Sequence, residues 1–376
     1  MTPKQRVLAT FRGEATDRVP THHITFSSRV ASELLGRDAH VGGGMQQWRE
    51  ARALWQGPDA HEEFIERSYR DAIDLAKAVG NDIVRVTYWR MNTKPSDRID
   101  EHTYRYGERR VMRFDTATEL YQDVGGVAVA GPSPEDIEES VTRSERSAEA
   151  YTPTEAEFAT EVRAQREIGH EYVVRVGGVG ISIPYDEAWL YALAARPSLV
   201  ARHLDAQTER VVRRLDLLRD LGFTCLWGGG DMAWNDGPFY SPRAFHDLML
   251  PRLRRISDEC HARGLLHLFG SDGDLWPIAS DLCGASGVDG LYEVDRIAGM
   301  ELRRLRTEYP NVTPIGNIAS QTLHVGSVED VVAETRDCLD VAREYGGVIV
   351  GCSNLIMPET PMVNVDALIS TLRANR

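Results

Sequence analysis

FTCLWGGGDMAWNDGPFYSPRAFHDLMLPRLRRISDECHARGLLHLFGSD, residues 223–272, decides how this chain folds. It opens on a short apolar run and passes through a glycine turn that ends at Asp231. A helical stretch then starts at Ser241-Pro242 and stops at Gly264. Serine at an N-cap and proline at the first helical position start a helix, and glycine just past the last turn ends one. Pro251 falls inside the stretch and should kink or divide it. A second apolar run, GLLHLFGSD (264–272), closes the unit. Both runs are nearly continuous rather than alternating, the pattern of strands buried on both faces of a parallel sheet. Strand, helix, strand therefore reads as a right-handed βαβ unit.

The same grammar recurs on either side. Strand-like runs are EYVVRVGGVG (171–180), GVDGLYEVD (287–295), VTPIGNI (312–318) and GVIVGCSN (347–354), with VPTHHIT (19–25) and DIVRVTYW (82–89) upstream. Helices are expected over 197–221, which opens with Pro197 and stops at Gly222, and over 328–345, which follows Ser327 and stops at Gly346. Between the first two strands lies a largely helical insert, 30–80. A hairpin-like patch, HTYRYGERRVMRFDT (102–116), follows the second strand, and a charged segment, 132–170, leads back to the third. Eight strands close a barrel, so the expected fold is one α/β domain, a (β/α)8 TIM barrel over 1–376 with a helical and a hairpin insert in its N-terminal half. An open doubly wound sheet is the alternative. No Gly-x-Gly-x-x-Gly turn follows the first strand, so no positive signal supports it.

Composition limits the functional classes. The 376 residues carry 43 Lys and Arg against 57 Asp and Glu, a formal charge of -14 that disfavours nucleic acid and anionic membrane surfaces as partners. No run approaches the roughly 18 apolar residues that a membrane span needs. The N-terminus is charged throughout and lacks a signal-peptide core, so the cytoplasm is the expected compartment. Five cysteines without a CxxC pair argue against a disulfide framework.

Barrel chemistry sits where strands run into their following loops, and here those positions are polar. Asp231 ends the fourth strand, Asp272 the fifth, Asp295 the sixth and Asn317 the seventh; Cys352 and Asn354 end the eighth. One aspartate could merely cap a turn. Three that converge on one mouth repel each other, so at least one should hold its proton or share a cation. Asp231, Asp272 and Asp295 are thus the catalytic candidates, with Asp272 and Cys352 as candidate metal ligands. His267 lies within the fifth strand, where a satisfied core histidine is the plainer account, and it is kept beside that as a substrate-binding candidate. Of His22-His23 on the first strand only one can face the interior, and His23 is taken as the binding candidate. Tyr185 and Trp234 are candidate walls for a flat ligand, and Asn317 and Asn354 candidate polar contacts.

These strand ends also carry a family likeness. QRVLATFRGEATDRVP (5–20) resembles the opening of uroporphyrinogen decarboxylase-type proteins, and GGDMAWNDGPFYSPRAFHDLMLPRL (229–253) is similar to the family's Asp-rich turn and Ser-Pro helix start. GSDGDLWP (270–277), VDGLYEVDRIAGMEL (288–302), IGNI (315–318) and GCSNLIMPETPMVNVDAL (351–368) follow in the family's order. The resemblance implies a (β/α)8 enzyme that is either a decarboxylase or a methyltransferase working with a corrinoid protein. The decarboxylases grip substrate carboxylates with an Arg-Gln-Ala-Gly-Arg motif. Aligned without gaps, it falls on Thr25-Phe26-Ser27-Ser28-Arg29, which keeps only Arg29. The thiol-activating methyltransferases hold zinc with a His-x-Cys and a later Cys, which fall here on Gly270, Asp272 and Asn354, with Cys352 two residues away. The chain is therefore not expected to be the housekeeping decarboxylase, nor to carry a standard His-Cys-Cys zinc site; oxygen-rich ligation would suit a harder divalent metal.

Three readings stay open. The first is a methyltransferase moving a methyl group between a small donor and a corrinoid or other carrier. The second is a carboxy-lyase acting on a small or cyclic carboxylic acid, with Arg29 holding the carboxylate. The third is a noncatalytic ligand-binding barrel. A small-molecule substrate is expected in the first two, a corrinoid protein as partner in the first, and a homodimer is compatible with all three.

Overall fold

The computed structural model describes residues 1–88, 90–125 and 132–375. Among them, eight parallel strands form a closed (β/α)8 barrel. Their regular cores are Thr25–Phe26, Ile83–Val84, Val173–Val174 continued by Val176–Gly177, Cys225–Gly229, Leu266–Gly270, Gly290–Tyr292, Thr313–Ile315 and Leu355–Ile356. Strands three to seven pair in sequence order, two pairs with three, and eight pairs with one, all parallel. Strands seven and eight join through Ile315–Ile349 and Ile318–Cys352 bridges. The ring closes where the Asp82 amide donates to the Thr21 carbonyl at 2.7 Å. Position 89, the last of the second expected strand, lies outside the described residues.

In strands two to seven the ladders are shorter than the apolar runs that contain them, because each run continues into the loop that carries polar groups; the first ladder starts at its run's last residue, Thr25, and the eighth follows the run 347–354. Helices Pro197–Asp220 and Val328–Tyr345 match their sequence signals. The stretch around Pro251 is divided: Pro242–Ala244, a π-helical Phe245–Met249, then Leu250–His261. A proline lacks the N–H of a regular turn, and a wider turn just before it absorbs the mismatch. The helical insert consists of Ser28–Leu35, Gly43–Gln56 and Pro58–Val79. The hairpin patch is the middle of a four-stranded antiparallel sheet, Asp97–Arg98, Thr103–Tyr106, Arg110–Phe114 and Tyr121–Asp123. No helix among the described residues is long and apolar enough to cross a membrane.

Alternation along the strands sorts two cores. The outer core, between barrel and helices, takes Val84, Val174, Leu226, Phe269, Val350 and Cys352. The inner core takes at least one residue from every strand: Ile24, Ile83, Val173, Cys225, Trp227, Leu268, Tyr292, Ile315 and Ile349. Its floor is the first helix, α1, Pro3–Phe11, whose Val7, Leu8 and Phe11 pack into the N-terminal end of the barrel. α1 starts cleanly: Thr2 and Gln5 form a reciprocal capping box and Pro3 sits at the first position. Arg6 then clamps the helix to the barrel. It ion-pairs with buried Asp82 at the start of the second strand and forms a two-pronged pair with Asp17 at 2.7 and 2.9 Å. Asp82 also accepts from the Thr21 amide at 2.8 Å. Sealing this end leaves the C-terminal mouth for chemistry.

Candidate active site

At that mouth the fourth, fifth and sixth strands end in carboxylates. Asp231, Asp272 and Glu293 bring oxygen atoms within 4.8 Å of one another. Asp231 is exposed; Asp272 and Glu293 are partly buried. Burial is the main force on Asp272, reinforced by the negative fields of Glu293, Asp231 and Asp295, and its carboxyl is pushed up to about 8. Asn354 on the eighth strand donates to Asp272 through Nδ2 at 2.7 Å, which orients the carboxyl and partly opposes that rise. Burial likewise raises Glu293, aided by Asp231, while Arg175 and Arg85 pull it back. Glu293 sits in the left-handed region at φ 63, a conformation costly for a residue with a Cβ and one that clusters at functional sites. Three carboxylates this close can share a proton or together hold a hard divalent cation.

Below this rim lie two arginines. Arg85 and Arg175 come from the second and third strands, two residues beyond the inward-facing Ile83 and Val173. The Arg175 guanidinium lies over Trp227 at 4.3 Å and over Tyr292 at 4.9 Å. Arg85 lies over Tyr88 at 4.8 Å and donates to the carbonyls of Thr87 at 2.9 Å and Ile24 at 3.4 Å. Burial, and then the neighbouring charge of Arg175, lower Arg85 to about 10. His22 meets Trp227 edge-on at 5.4 Å; burial and then the charge of Arg175 keep its ring neutral.

The structure places the remaining sequence candidates as follows. Asp295 builds a turn, accepting from the amides of Ile297 at 2.9 Å and Ala298 at 3.2 Å, and adds negative field at Asp272. Asn317 is fully buried and donates to the Met300 carbonyl at 2.7 Å, so it braces the seventh strand's loop. His267 faces the helix Leu250–His261, where its Nδ1 meets the Ser257 hydroxyl at 2.8 Å. His23 turns to the outer side against Phe26, and its Nδ1 accepts from the Cys352 amide at 3.1 Å; His22 is the inward-facing partner. Cys352 belongs to the outer core, where burial pushes its thiol up to about 12. Arg29 is ion-paired with buried Glu119 at 2.9 Å. Tyr185 and Trp234 are 55% and 64% exposed and form a rim cluster with Phe239, at ring separations of 4.8 and 4.7 Å from it. The hairpin carrying Trp234 is tied to the fifth strand's loop, since the Asp274 amide donates to the Trp234 carbonyl at 2.8 Å.

A thiolate zinc set does not fit these residues. A Cβ at Gly270 would lie 2.2 Å from the Tyr292 ring, which crosses that space to donate to the Gly228 carbonyl at 2.6 Å. A histidine at 270 has no room, Asp272 and Asn354 supply no sulfur, and Cys352 faces away. The crowding has a measurable consequence. Gly270→Ala should destabilise the fold by about 1–3 kcal/mol or more in urea unfolding, the usual cost of overpacking. In a Tyr292→Leu background the same change should cost less, and an equal cost in both backgrounds would count against the contact.

A closed barrel with an acidic mouth above partly buried cations has the form of a TIM-barrel enzyme site. The uroporphyrinogen decarboxylase (URO-D) family model matches residues 186–375, half of the chain, and the chain belongs to that family. Among solved structures, a methyltransferase from Methanosarcina mazei is similar over 100% of this chain and 99% of its own, with a TM-score of 0.67 and 20% identity. A chitinase from Chromobacterium violaceum (TM-score 0.32, 10% identity, 57% of this chain and 95% of its own) is far more distant. So is a 3-keto-D-glucoside 4-epimerase from E. coli, at a TM-score of 0.33 and 13% identity over 65% of this chain and 97% of its own. No curated protein sequence matches significantly.

Proposed function

We propose that this protein is a methyltransferase-type enzyme that moves a methyl group between a small donor and a carrier, with Asp272 managing the proton. The observation that carries the reading is the position of Asp272, a carboxyl at the barrel mouth that keeps its proton up to about pH 8. When a methyl group leaves oxygen or nitrogen, the bonding pair stays on that heteroatom. A proton delivered there lowers the barrier, and an acid with a pKa near the working pH delivers it best. Asn354 holds the carboxyl in one orientation, and exposed Asp231 can relay a replacement proton from solvent. A reduced corrinoid on a partner protein would supply the nucleophile that accepts the methyl group. The likeness to the Methanosarcina methyltransferase suggests the reaction class but, at 20% identity, not its residues.

A second reading, a carboxy-lyase, is favoured by one observation: Arg85 and Arg175 restore inside the barrel the cationic pair that the first strand's end lacks. In that case Asp272 protonates the carbanion left by CO2.

The test supplies purified protein with reduced cobalamin and a panel of small O- and N-methyl compounds, and follows corrinoid absorbance and the demethylated product. Methyl transfer that a chelator does not abolish, and that falls as pH rises past about 8, supports the proposal. Loss of activity with EDTA, restored by Mg2+ or Mn2+, would put a cation where the proton is proposed. Release of CO2 from carboxylic acids without methyl transfer would select the lyase.

A further inference from the structure

We infer that Arg85 and Arg175 form a binding site for a substrate carboxylate deep in the barrel, and that the substrate is a small carboxylic acid. The inference rests on the acid–base reading of the same mouth and adds the charge and orientation of what binds there. Charged side chains are rarely placed inside a barrel without a partner, because removing them from water is costly unless an opposite charge answers. Here two guanidinium groups project inward from adjacent strands, close enough that each repels the other's charge. Among the described residues neither has a carboxylate within ion-pair distance, and Nη1 of Arg175 is buried without a hydrogen-bond partner. Glu293 feels the charge of both arginines but lies beyond ion-pair distance of each.

The surroundings fit a carboxylate better than water. The Trp227 and Tyr292 rings pack on Arg175 and Tyr88 on Arg85, which fixes both guanidinium groups; Arg85 gives Nε and one Nη1 N–H to the Thr87 and Ile24 carbonyls, while Nη1 of Arg175 is left for an acceptor. Fixed, planar donors suit the two oxygens of a carboxylate. A carboxylate bound there directs the rest of the molecule toward the rim, where Asp231, Asp272 and Glu293 meet. The acid therefore bears its anionic group at one end and its reacting atom at the other. Arg29, already held by Glu119, is not needed for this grip.

The experiment is equilibrium binding to the intact protein, read by tryptophan fluorescence, to which Trp227 contributes, and by calorimetry. The probes are formate, acetate, benzoate and succinate, with benzyl alcohol as a neutral analogue and inorganic phosphate as a tetrahedral anion. At least one carboxylate should bind, more tightly than either comparison compound. Arg85→Met and Arg175→Met should each weaken it by about 10- to 150-fold, the range for a charged hydrogen bond. Arg175→Lys should recover only part of the loss, since a point charge lacks the planar fork. Asp272→Asn should leave binding nearly unchanged, so failure of the acid–base proposal and failure of this one are distinguishable. The inference is overturned if no carboxylate binds, if benzyl alcohol or phosphate binds as well as the best of them, or if a folded Arg175→Met protein binds like the parent.

Discussion

Asp272→Asn is expected to lower turnover by about 10²–10⁴-fold while leaving substrate affinity almost unchanged, the signature of lost acid–base catalysis. Asparagine keeps the shape and can still accept from Asn354, but it has no carboxylic proton to give. The pH dependence follows from burial and like charge raising Asp272 to about 8. Activity that requires the protonated form should be level below that value and fall about tenfold per unit above it. Stability carries the matching sign. The folded state holds a proton that the unfolded chain releases near pH 4, so parent stability declines between about pH 4 and 8 and is flat beyond. The variant lacks this decline, so its melting temperature should gain on the parent's as pH rises through that window. A variant that unfolds at markedly lower denaturant yet turns over normally when folded would make Asp272 a turn residue and nothing more.

Arg6→Met is expected to destabilise the protein by about 3–5 kcal/mol, measured by denaturant unfolding, which is a large part of the 5–15 kcal/mol typical of a domain. The Arg6 and Asp82 side chains are 2% and 1% exposed. Removing the guanidinium takes the balancing charge from buried Asp82, and the Thr21 amide and hydroxyl, at 2.8 and 3.5 Å, are neutral donors that do not replace it. The companion change Asp82→Asn in the Arg6→Met background should recover part of the loss, because an amide is cheaper to bury than a charge. Carboxylate binding should survive in the folded fraction, since α1 closes the end opposite the acidic mouth. A loss below about 1 kcal/mol would mean that the packing of Val7, Leu8 and Phe11 holds the floor unaided.

Periodicity made the barrel legible: continuous apolar runs separated by capped helices leave few arrangements, and seven of the eight runs contain or overlap a regular barrel strand, while 347–354 contributes bridges at Ile349, Val350 and Cys352 just before Leu355–Ile356. Where each run stops being strand was not legible, and this is why Glu293 was overlooked. The run 287–295 reads as ending at Asp295, but regular pairing stops at Tyr292, and the next residue is the one at the mouth. Asp231, Asp272 and Asn354 were visible as polar residues after glycine turns. Asn317 and His267 look equivalent in sequence, yet strand alternation points them outward, and with a two-residue pleat a small error in register exchanges the faces. The same error exchanged His23 for His22. Arg85 and Arg175 did leave a signal, in the matching IVRV and VVRV of the second and third strands. A charge set in a run buried on both faces has no solvated side to occupy, so it must point down the barrel axis. Arg29 misled because family position identified it, and only the distant Glu119 shows that its charge is already answered.

The α1 floor has a consequence for traffic. With Val7, Leu8 and Phe11 filling one end of the barrel, that end is shut, and a small molecule bound at Arg85 and Arg175 would enter and leave past Asp231 and Asp272. On the proposed reading, a carrier that docked on the rim, against Tyr185 and Trp234, would cover the doorway used by the small molecule. Two reactants of such unequal depth would then exchange in a fixed order, the small one first in and last out, set by the blocked end.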